Sequence, residues 1–158
     1  MTTQIDRRLE ELGLTLPEAA APVAAYVPTV LAGGLLHVSG QLPFRDGQLL
    51  TGRLGVEGQG GVSMDDGKEA ARRCGLMLLA QVKAALGSLD RVERVVKLGV
   101  FVNSTADFTD QPQVANGASE LMQDVFGEAG RHARSAVGVP TLPRGVAVEV
   151  DGIFAVRA

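Results

Sequence analysis

The chain has 158 residues, of which 46% are hydrophobic and 21% are charged, and its formal net charge at pH 7 is −3. This composition is typical of a globular protein with a buried core, so we expect a single domain over residues 1–158. The acidic balance, the 4% of aromatic residues and the lack of tryptophan disfavour nucleic acid as a partner. One cysteine excludes an internal disulfide bond. The charged N-terminus and the lack of a run of ~20 apolar residues argue against a signal peptide and a membrane span, so we expect a cytoplasmic protein.

The first 22 residues are predicted to form a short helix and a covering loop. Ile5, Leu9 and Leu12 recur at helical spacing, and Gly13 follows them as a typical C-terminal stop. The next segment is rich in proline and alanine. We expect it to lie on the outside of the domain rather than to link two domains.

Two short strands are predicted around the diglycine at 33–34, which is a typical hairpin turn. This hairpin leaves Tyr26 at one end and the segment 39–41, Ser-Gly-Gln, at the other. The glycine-rich segment 52–61 lacks the preceding apolar strand and the Gly-Lys-Ser/Thr ending of a phosphate-binding loop. A flexible loop is therefore the favoured interpretation of that segment.

A first long helix is predicted to begin at Ser63, because Asp66 follows three residues later in a helix-capping pattern. Apolar residues then recur every three or four positions as far as Ala85, and the helix is expected to end near Gly87. Cys74 lies within this apolar stripe. We therefore expect its thiol to be buried and unreactive.

A second helix is predicted after Phe108, with Asp110 or Gln111 as its cap and Pro112 in its first turn. Gly127 marks its expected end. Its buried stripe is predicted to comprise Ala118, Leu121, Met122 and Val125.

Three further segments alternate with the period of two that is typical of β-strands. Within 91–104, one face carries Val96, Leu98, Val100 and Val102. Within 134–139, one face carries Ser135, Val137 and Val139, and the other carries Arg134, Ala136 and Gly138. Within 146–151, one face carries Val146, Val148 and Val150, and the other carries Ala147, Glu149 and Asp151. We expect the helices to cover the valine-rich faces, which puts Arg134 and Glu149 together on a second, polar face of the sheet.

Arg134 and Glu149 are the strongest candidates for chemistry. His37, in a predicted strand, and His132, in a loop, are expected to be structural, since two histidines and one cysteine are too few for a multi-histidine metal site. No Gly-x-Ser-x-Gly elbow for a covalent triad is present. A guanidinium binds a carboxylate through a planar pair of donors, and a carboxylate in a dry site can position water or move protons. From spacing alone, a structural salt bridge or an interface pair stays open as the alternative.

Several separated motifs occur in one order along the chain. They are Tyr-Val at 26–27, Val-Ser-Gly-Gln-Leu-Pro at 38–43, Val-Phe-Val at 100–102, a helix carrying Asn116, Arg-Ser-Ala-Val-Gly-Val at 134–139, Leu-Pro at 142–143 and Val-Ala-Val-Glu-Val-Asp at 146–151. Together they resemble the RidA/YjgF family, the reactive-intermediate (enamine and imine) deaminases, from about residue 26 to the C-terminus. The N-terminal helix and the glycine-rich loop resemble a longer branch of that family.

The resemblance implies an α+β fold of the chorismate-mutase-like (YjgF-like) type, with a mixed β-sheet and two helices on one face, to which this chain adds the short N-terminal helix. It also implies a homotrimer whose clefts between neighbouring subunits take a small carboxylate substrate without a cofactor. In the family, the cleft arginine grips the substrate carboxylate and the cleft glutamate acts on a water that attacks the imine carbon. Ammonia leaves and a 2-oxo acid remains.

Carried onto this chain, the resemblance assigns the carboxylate clamp to Arg134 and the water-activating acid–base role to Glu149. The residues that it places in the lining of the same pocket are Tyr26, Ser39, Gly40, Asn116 and Ala136. Gly40 would supply backbone contacts. Ala136 stands where many members carry cysteine, so any function of that thiol is absent here.

Three functions follow as alternatives. The leading one is a cofactor-free hydrolytic deaminase, of the 2-iminobutanoate/2-iminopropanoate deaminase type, acting on small 2-imino and 2-enamino acids that pyridoxal-phosphate enzymes release. The second is a non-catalytic trimeric protein that binds or senses a small carboxylate in the same cleft. Endoribonuclease or translation-inhibitor activity comes third, because the acidic composition and the lack of paired histidines argue against it.

Overall fold

The computed structural model describes residues 2–22 and 24–158, so Met1, in the predicted N-terminal segment, and Val23, just beyond it, lie outside the described residues. The helices are α1 (Gln4–Glu11), α2 (Met64–Leu86) and α3 (Gln111–Phe126). The strands are β1 (Thr29–Ala32), β2 (Leu35–Gln41), β3 (Phe44–Arg45), β4 (Gln48–Leu49), β5 (Arg53–Leu54), β6 (Gly61–Val62), β7 (Val92–Asn103), β8 (Ala133–Val139) and β9 (Val148–Val156). Five of them form the main sheet in the order β1-β2-β9-β7-β8, and β3–β4 and β5–β6 form two small pairs.

The main sheet is mixed, because β8 runs parallel to β7 while the other neighbours are antiparallel. The predicted hairpin joins β1 to β2, and its two glycines, Gly33 and Gly34, have positive φ angles of 59° and 78°. This is the backbone that a tight two-residue turn between antiparallel strands requires. The α+β architecture expected from the sequence is therefore confirmed.

The two long helices begin and end near the predicted residues. The Ser63 hydroxyl accepts a hydrogen bond from the Asp66 N–H at 3.1 Å, and α2 ends at Gly87, whose φ is 81°. Ala85 is exposed, and Leu86 closes the buried stripe instead. Helix α3 follows Asp110, which makes no side-chain capping bond. All four residues of its predicted stripe are buried.

Helices α2 and α3 pack against each other and cover one face of the sheet. We call this the helix-covered face, and its buried strand residues include Leu36, Val38, Leu98, Val100, Val102, Val150 and Phe154. Each fully buried side chain of this size contributes roughly 1.5–3 kcal/mol to stability. The other side of the sheet, which we call the open face, is covered by no helix of the described residues. It carries His37, Gly99, Phe101, Val137, Glu149 and Asp151.

The prediction that Arg134 and Ala136 lie off the helix-covered face is wrong. In the parallel pairing of β8 with β7, Arg134 lies opposite Leu98 and Ala136 lies opposite Val100. Residues directly opposite each other on neighbouring strands project to the same face, and both partners are buried under the helices. The alternation along β8 was predicted correctly, but the face that meets the helices was not. Val137, which was predicted to lie under the helices, is 46% exposed on the open face.

A second, smaller error concerns β7. The pairing of β7 with β9 shifts register between Val95 and Lys97, and Val95 rather than Val96 is buried there. Beyond this irregularity the predicted alternation holds, and Leu98 is fully buried. A β-bulge of this kind adds a residue to one strand, which a strict period of two cannot represent.

The N-terminal segment is anchored by polar contacts. The Asp90 carboxylate accepts hydrogen bonds from the backbone N–H groups of Gln4 and Ile5, at 3.0 and 2.8 Å, where α1 begins. Lys83 of α2 forms an ion pair with Asp6 at 2.9 Å. Within the described ranges, no helix combines the length and the apolarity needed to cross a membrane.

Candidate functional site

Arg134 is surrounded by uncharged acceptors. Its Nη1 donates to Asn116 Oδ1 at 2.9 Å and to Ser119 Oγ at 3.1 Å, and its Nη2 donates to the Pro112 carbonyl at 3.3 Å. All three partners belong to α3. Among residues 2–22 and 24–158, no ion pair includes Arg134 or Glu149, so a salt bridge between the two does not form within one chain.

The guanidinium keeps one edge without a protein partner. A guanidinium has five N–H donors, and the three hydrogen bonds to α3 use both on Nη1 and one on Nη2. In the described part of the chain, the N–H of Nε and the second N–H of Nη2 have no acceptor. In a guanidinium, Nε and Nη2 lie along one edge, and their N–H donors can match a carboxylate or phosphate in a bidentate pair. Arg134 is only half-buried, and its Nη2 hydrogen bond to Pro112 lies in an exposed position.

Glu149 lies on the open face, in the middle of the sheet. It sits opposite Phe101 of β7, and its carboxyl group lies against Gly40 of β2. A Cβ atom at position 40 would stand 2.8 Å from both Cδ and Oε2 of Glu149, so only glycine leaves room for the carboxyl there. Gly40 belongs to an irregularity of β2, where the pairing with β9 shifts between Val38 and Gln41. Burial, and then the negative charge of Asp151, raise the pKa of Glu149.

Asp151, two residues after Glu149 on β9, has a similar arrangement. Its carboxylate lies against Gly99 of β7, where a Cβ atom would collide with it. Burial raises the pKa of Asp151, and a backbone hydrogen bond from Gly99 and the charge of Lys97 oppose that rise. Asp151 lines a cavity of about 310 Å³ on the open face, together with His37, Lys97, Phe101, Ser135 and Ile153. Asp151 was not among the site residues predicted from the sequence.

The structure separates the candidate residues into two groups. One group lies on the helix-covered side of the β8 edge and comprises Arg134, Asn116 and Ala136. The other lies beside the irregularity of β2 and comprises Ser39, Gly40 and Glu149. The Ser39 hydroxyl donates to the Pro28 carbonyl at 3.2 Å, and Tyr26, in the loop before β1, is 48% exposed. The expectation that Arg134 and Glu149 share one face is wrong, because β8 presents Arg134 to α3.

Two residues next to Arg134 were missed. Ser119 Oγ lies 2.8 Å from His132 Nε2, and His132 Nδ1 lies 2.6 Å from the Gly130 carbonyl. Burial first, and then the charge of Arg134, lower the pKa of His132, although the bond to Gly130 opposes this. The spacing of these residues could have identified them. His132 precedes Arg134 by two residues, which places both on one face of an extended strand, and Ser119 follows Asn116 by three, which places both on one face of a helix.

Cys74 and the other titratable groups provide weaker candidates for catalysis or metal binding. Cys74 is buried, as predicted, and its Sγ lies 3.4 Å from the Val148 carbonyl. Burial, followed by the negative charge of Glu149, raises the pKa of this thiol well above its ordinary value. The residues that the structure describes contain no group of three His, Cys, Asp or Glu side chains arranged to hold a metal ion.

The fold and the two groups of charged residues define a protein of the chorismate-mutase-like α+β class, with candidate anion-binding and acidic groups on opposite faces of one sheet. The family model described as "YjgF/chorismate_mutase-like, putative endoribonuclease" matches residues 6–155. The chain therefore belongs to the YjgF/RidA family, as the order of its motifs indicated.

Individual relatives are similar over nearly the whole chain. Protein TCP17 of Trypanosoma cruzi is 55% identical over 152 residues, which cover 95% of this chain and 92% of that protein. The 2-iminobutanoate/2-iminopropanoate deaminase of Dermatophagoides farinae is 26% identical over 91% of this chain and 95% of that one. The crystal structure of Atu1372 from Agrobacterium tumefaciens, a protein of unknown function, is 47% identical and superimposes with a TM-score of 0.87, covering 97% of this chain and 92% of that chain.

Proposed function

We propose that the protein is a cofactor-free hydrolytic deaminase that converts small 2-imino and 2-enamino acids to 2-oxo acids in a cleft between two copies of the chain. The observation that carries the proposal is that, among the residues described, Arg134 is held by uncharged acceptors alone and its Nε has no acceptor. A guanidinium whose charge no protein carboxylate balances favours an external anion. The name of the relative that is 26% identical supports the reaction class.

The cleft requires a second copy because the two groups of residues lie on opposite sides of the sheet. In our proposal, Arg134, Asn116 and Ala136 of one copy face Ser39, Gly40, Glu149 and Tyr26 of a neighbour. Three copies associated in this way would form a homotrimer with three equivalent clefts. Exposed apolar side chains on the open face support the association, since Val30 is 51% exposed and Val137 is 46% exposed.

Arg134 takes the substrate carboxylate through its Nε and Nη2 donors. Asn116 accepts from Arg134 through Oδ1, so its Nδ2 amide remains available to donate to the same carboxylate. Ala136 lies two residues along the same side of β8, where its methyl group leaves space for a small alkyl group of the substrate. The site therefore fits a short 2-imino acid.

The reaction needs one water molecule and no other reactant. An enamine first becomes an imine when a proton moves from its nitrogen to its terminal carbon. Glu149 takes a proton from water while the water oxygen bonds to the imine carbon, and it gives that proton to the nitrogen. Transfer of the hydroxyl proton to the same nitrogen makes ammonia the leaving group, which departs with the electrons of the carbon–nitrogen bond as the carbonyl forms. The raised pKa of Glu149 suits a group that must both accept and donate a proton.

The test supplies 2-aminoacrylate from serine with a pyridoxal-phosphate dehydratase and follows the release of the 2-oxo acid. The wild-type protein should accelerate release. Arg134→Ala should lower kcat/KM by about 100-fold or more, because it removes two charge-assisted hydrogen bonds to the substrate. Arg134→Lys, which keeps the charge without the planar fork, should fall between the two. Equal acceleration by wild type and Arg134→Ala contradicts the proposal.

A non-catalytic protein that binds small carboxylates is the second candidate. One observation favours it: the half of the cleft that holds Arg134 is complete within a single chain, whereas Glu149 lies on the other face. Glu149→Gln separates the two functions. For an enzyme, this variant should retain its affinity for a 2-oxo acid in calorimetry and lose turnover. If the wild-type protein binds the 2-oxo acid but does not accelerate its formation from 2-aminoacrylate, the non-catalytic binding function is supported.

A further inference from the structure

Ser119 and His132 have no part in the proposed reaction, yet they are joined to Arg134 by a continuous chain of hydrogen bonds. The chain runs from Arg134 Nη1 to Ser119 Oγ at 3.1 Å, from Ser119 to His132 Nε2 at 2.8 Å, and from His132 Nδ1 to the Gly130 carbonyl at 2.6 Å. Ser119 is only 7% exposed. The chain is thus partly buried, with Ser119 at its centre.

The direction of donation along these hydrogen bonds follows from the fixed donor and acceptor at the ends. A backbone carbonyl can only accept, so His132 donates from Nδ1 to Gly130. Burial, aided by the nearby guanidinium charge, lowers the pKa of His132 and favours the neutral ring, whose Nε2 is then an acceptor. The Ser119 hydroxyl must donate to Nε2. Its hydrogen therefore points away from Arg134, and an oxygen lone pair faces Nη1.

We infer that Ser119 and His132 are a positioning pair that orients the guanidinium of Arg134 for carboxylate binding. The inference rests on the proposed function and deepens it. Without an acceptor at Nε2, the serine hydrogen would be free to turn toward Nη1, where it would oppose a donor. With the acceptor in place, Ser119 and Asn116 fix both hydrogens of Nη1, and the guanidinium plane stops rotating. The Nε and Nη2 edge then faces the cleft before the substrate arrives, so less freedom is lost on binding.

The pair of variants His132→Gln and His132→Asn isolates the acceptor. A glutamine oxygen reaches about as far as Nε2 and can accept from Ser119, whereas asparagine is shorter and can only replace the Nδ1 donor to Gly130. We expect Ser119→Ala and His132→Asn to raise KM about tenfold through the loss of one oriented hydrogen bond to a charged group. Neither should change kcat by more than about twofold, since Glu149 and its water are untouched. His132→Gln should restore KM to near the wild-type value.

The outcomes distinguish this inference from the proposed function. If Arg134→Ala raises KM while His132→Gln and His132→Asn have the same KM, the clamp stands and the positioning pair is overturned. If Arg134→Ala leaves kcat/KM unchanged, the proposed function fails, and the inference that rests on it fails as well. A fall in kcat equal to the rise in KM also contradicts a positioning role.

A measurement on the unaltered protein removes any dependence on how the variants fold. Nitrogen-15 NMR of the arginine side chains reports rotation about the Cζ–Nη1 bond of Arg134, with Arg134→Lys used to assign its signals. Slow rotation, with separate signals for the two Nη1 hydrogens, is expected for a group held by Asn116 and Ser119. A single averaged signal overturns the inference.

Discussion

The two faces of the main sheet accommodate charge in different ways. On the helix-covered face, Arg134 lies at the edge of an apolar core, and its hydrogen-bond partners within the described residues are all uncharged acceptors of α3. On the open face, Glu149 and Asp151 lie in the middle of the sheet, each against a glycine of a neighbouring strand. The sheet therefore keeps the Arg134 cation apart from these two acids, of which Asp151 has Lys97 nearby on its own face. Charges separated in this way remain available to groups outside the chain.

The largest contrast between the faces should appear in stability. Leu98 is fully buried on the helix-covered face, and Leu98→Ala should lower the free energy of unfolding by about 3 kcal/mol through lost burial and a residual cavity. Val137→Ala, on the open face, should change it by less than about 0.5 kcal/mol. Urea unfolding at protein concentrations where the chain is dissociated measures both. Similar losses for the two variants would mean that the open face is covered within one chain.

The next contrast lies within the open face, between its two pairs of glycine and acid. Gly40→Ala places a Cβ atom where the Glu149 carboxyl now lies, and we expect kcat to fall about tenfold, since small displacements of reacting groups are costly. Gly99→Ala is the matched control, because it displaces Asp151 instead. Steady-state kinetics with thermal unfolding as a check on folding separates the two. Equal effects on kcat would mean that the position of Glu149 matters no more for turnover than the position of Asp151.

The smallest contrast concerns pH. Because the pKa of Glu149 is raised in the folded chain, the folded state binds more protons than the unfolded state between the ordinary and the raised value. Stability from this group is thus present at acidic pH and lost as pH rises through that window. Glu149→Gln should match wild type at acidic pH and be the more stable at neutral pH, as read from urea midpoints.

Asp107 provides a control of opposite sign. A hydrogen bond of 2.6 Å from Thr105 lowers the pKa of Asp107, so its contribution is present above the ordinary pKa and lost as pH falls through the lowered value. Asp107→Asn should therefore be slightly less stable than wild type at neutral pH and equal to it at acidic pH. A Glu149→Gln variant that behaves like Asp107→Asn would show that Glu149 is stabilised as an anion.

Local signals predicted most of the fold. The diglycine at 33–34, the Ser63 cap and Gly87 each determine backbone geometry within a few residues, so hairpin and helix boundaries follow from the sequence. Which face of β8 meets the helices depends on its register with β7, where Leu98 lies opposite Arg134. That register is a long-range property. The two valines on one face of β8 favoured that face as the buried one. The helices instead cover the face of Arg134, because α3 provides polar acceptors for its guanidinium at this edge of the sheet.

The candidate site, too, could be predicted only as far as local sequence patterns reach. Arg134 and Glu149 were identifiable as charges within strands, and the family resemblance gave them roles. Their separation by the sheet depended on the exchanged face of β8, so it could not be read from alternation. Spacing places Ser119 on the Asn116 face of α3 and His132 two residues before Arg134, but the packing of α3 on β8 is what joins all of them in one chain of hydrogen bonds.

In the proposed function, Arg134 of one copy and Glu149 of another complete one site, and this sharing can be tested by mixing two inactive variants. Arg134→Ala and Glu149→Gln chains are refolded together at equal amounts. In a randomly mixed trimer, about one quarter of the clefts would combine an intact arginine with an intact glutamate, so about one quarter of the wild-type activity should return.

A matched mixture of wild type with the double variant Arg134→Ala/Glu149→Gln completes the test. A shared site predicts about one quarter of wild-type activity there as well, whereas a site within one chain predicts about one half. We expect equal recovery of activity in both mixtures. No recovery from the two single variants, with about half the activity in the control mixture, would contradict it.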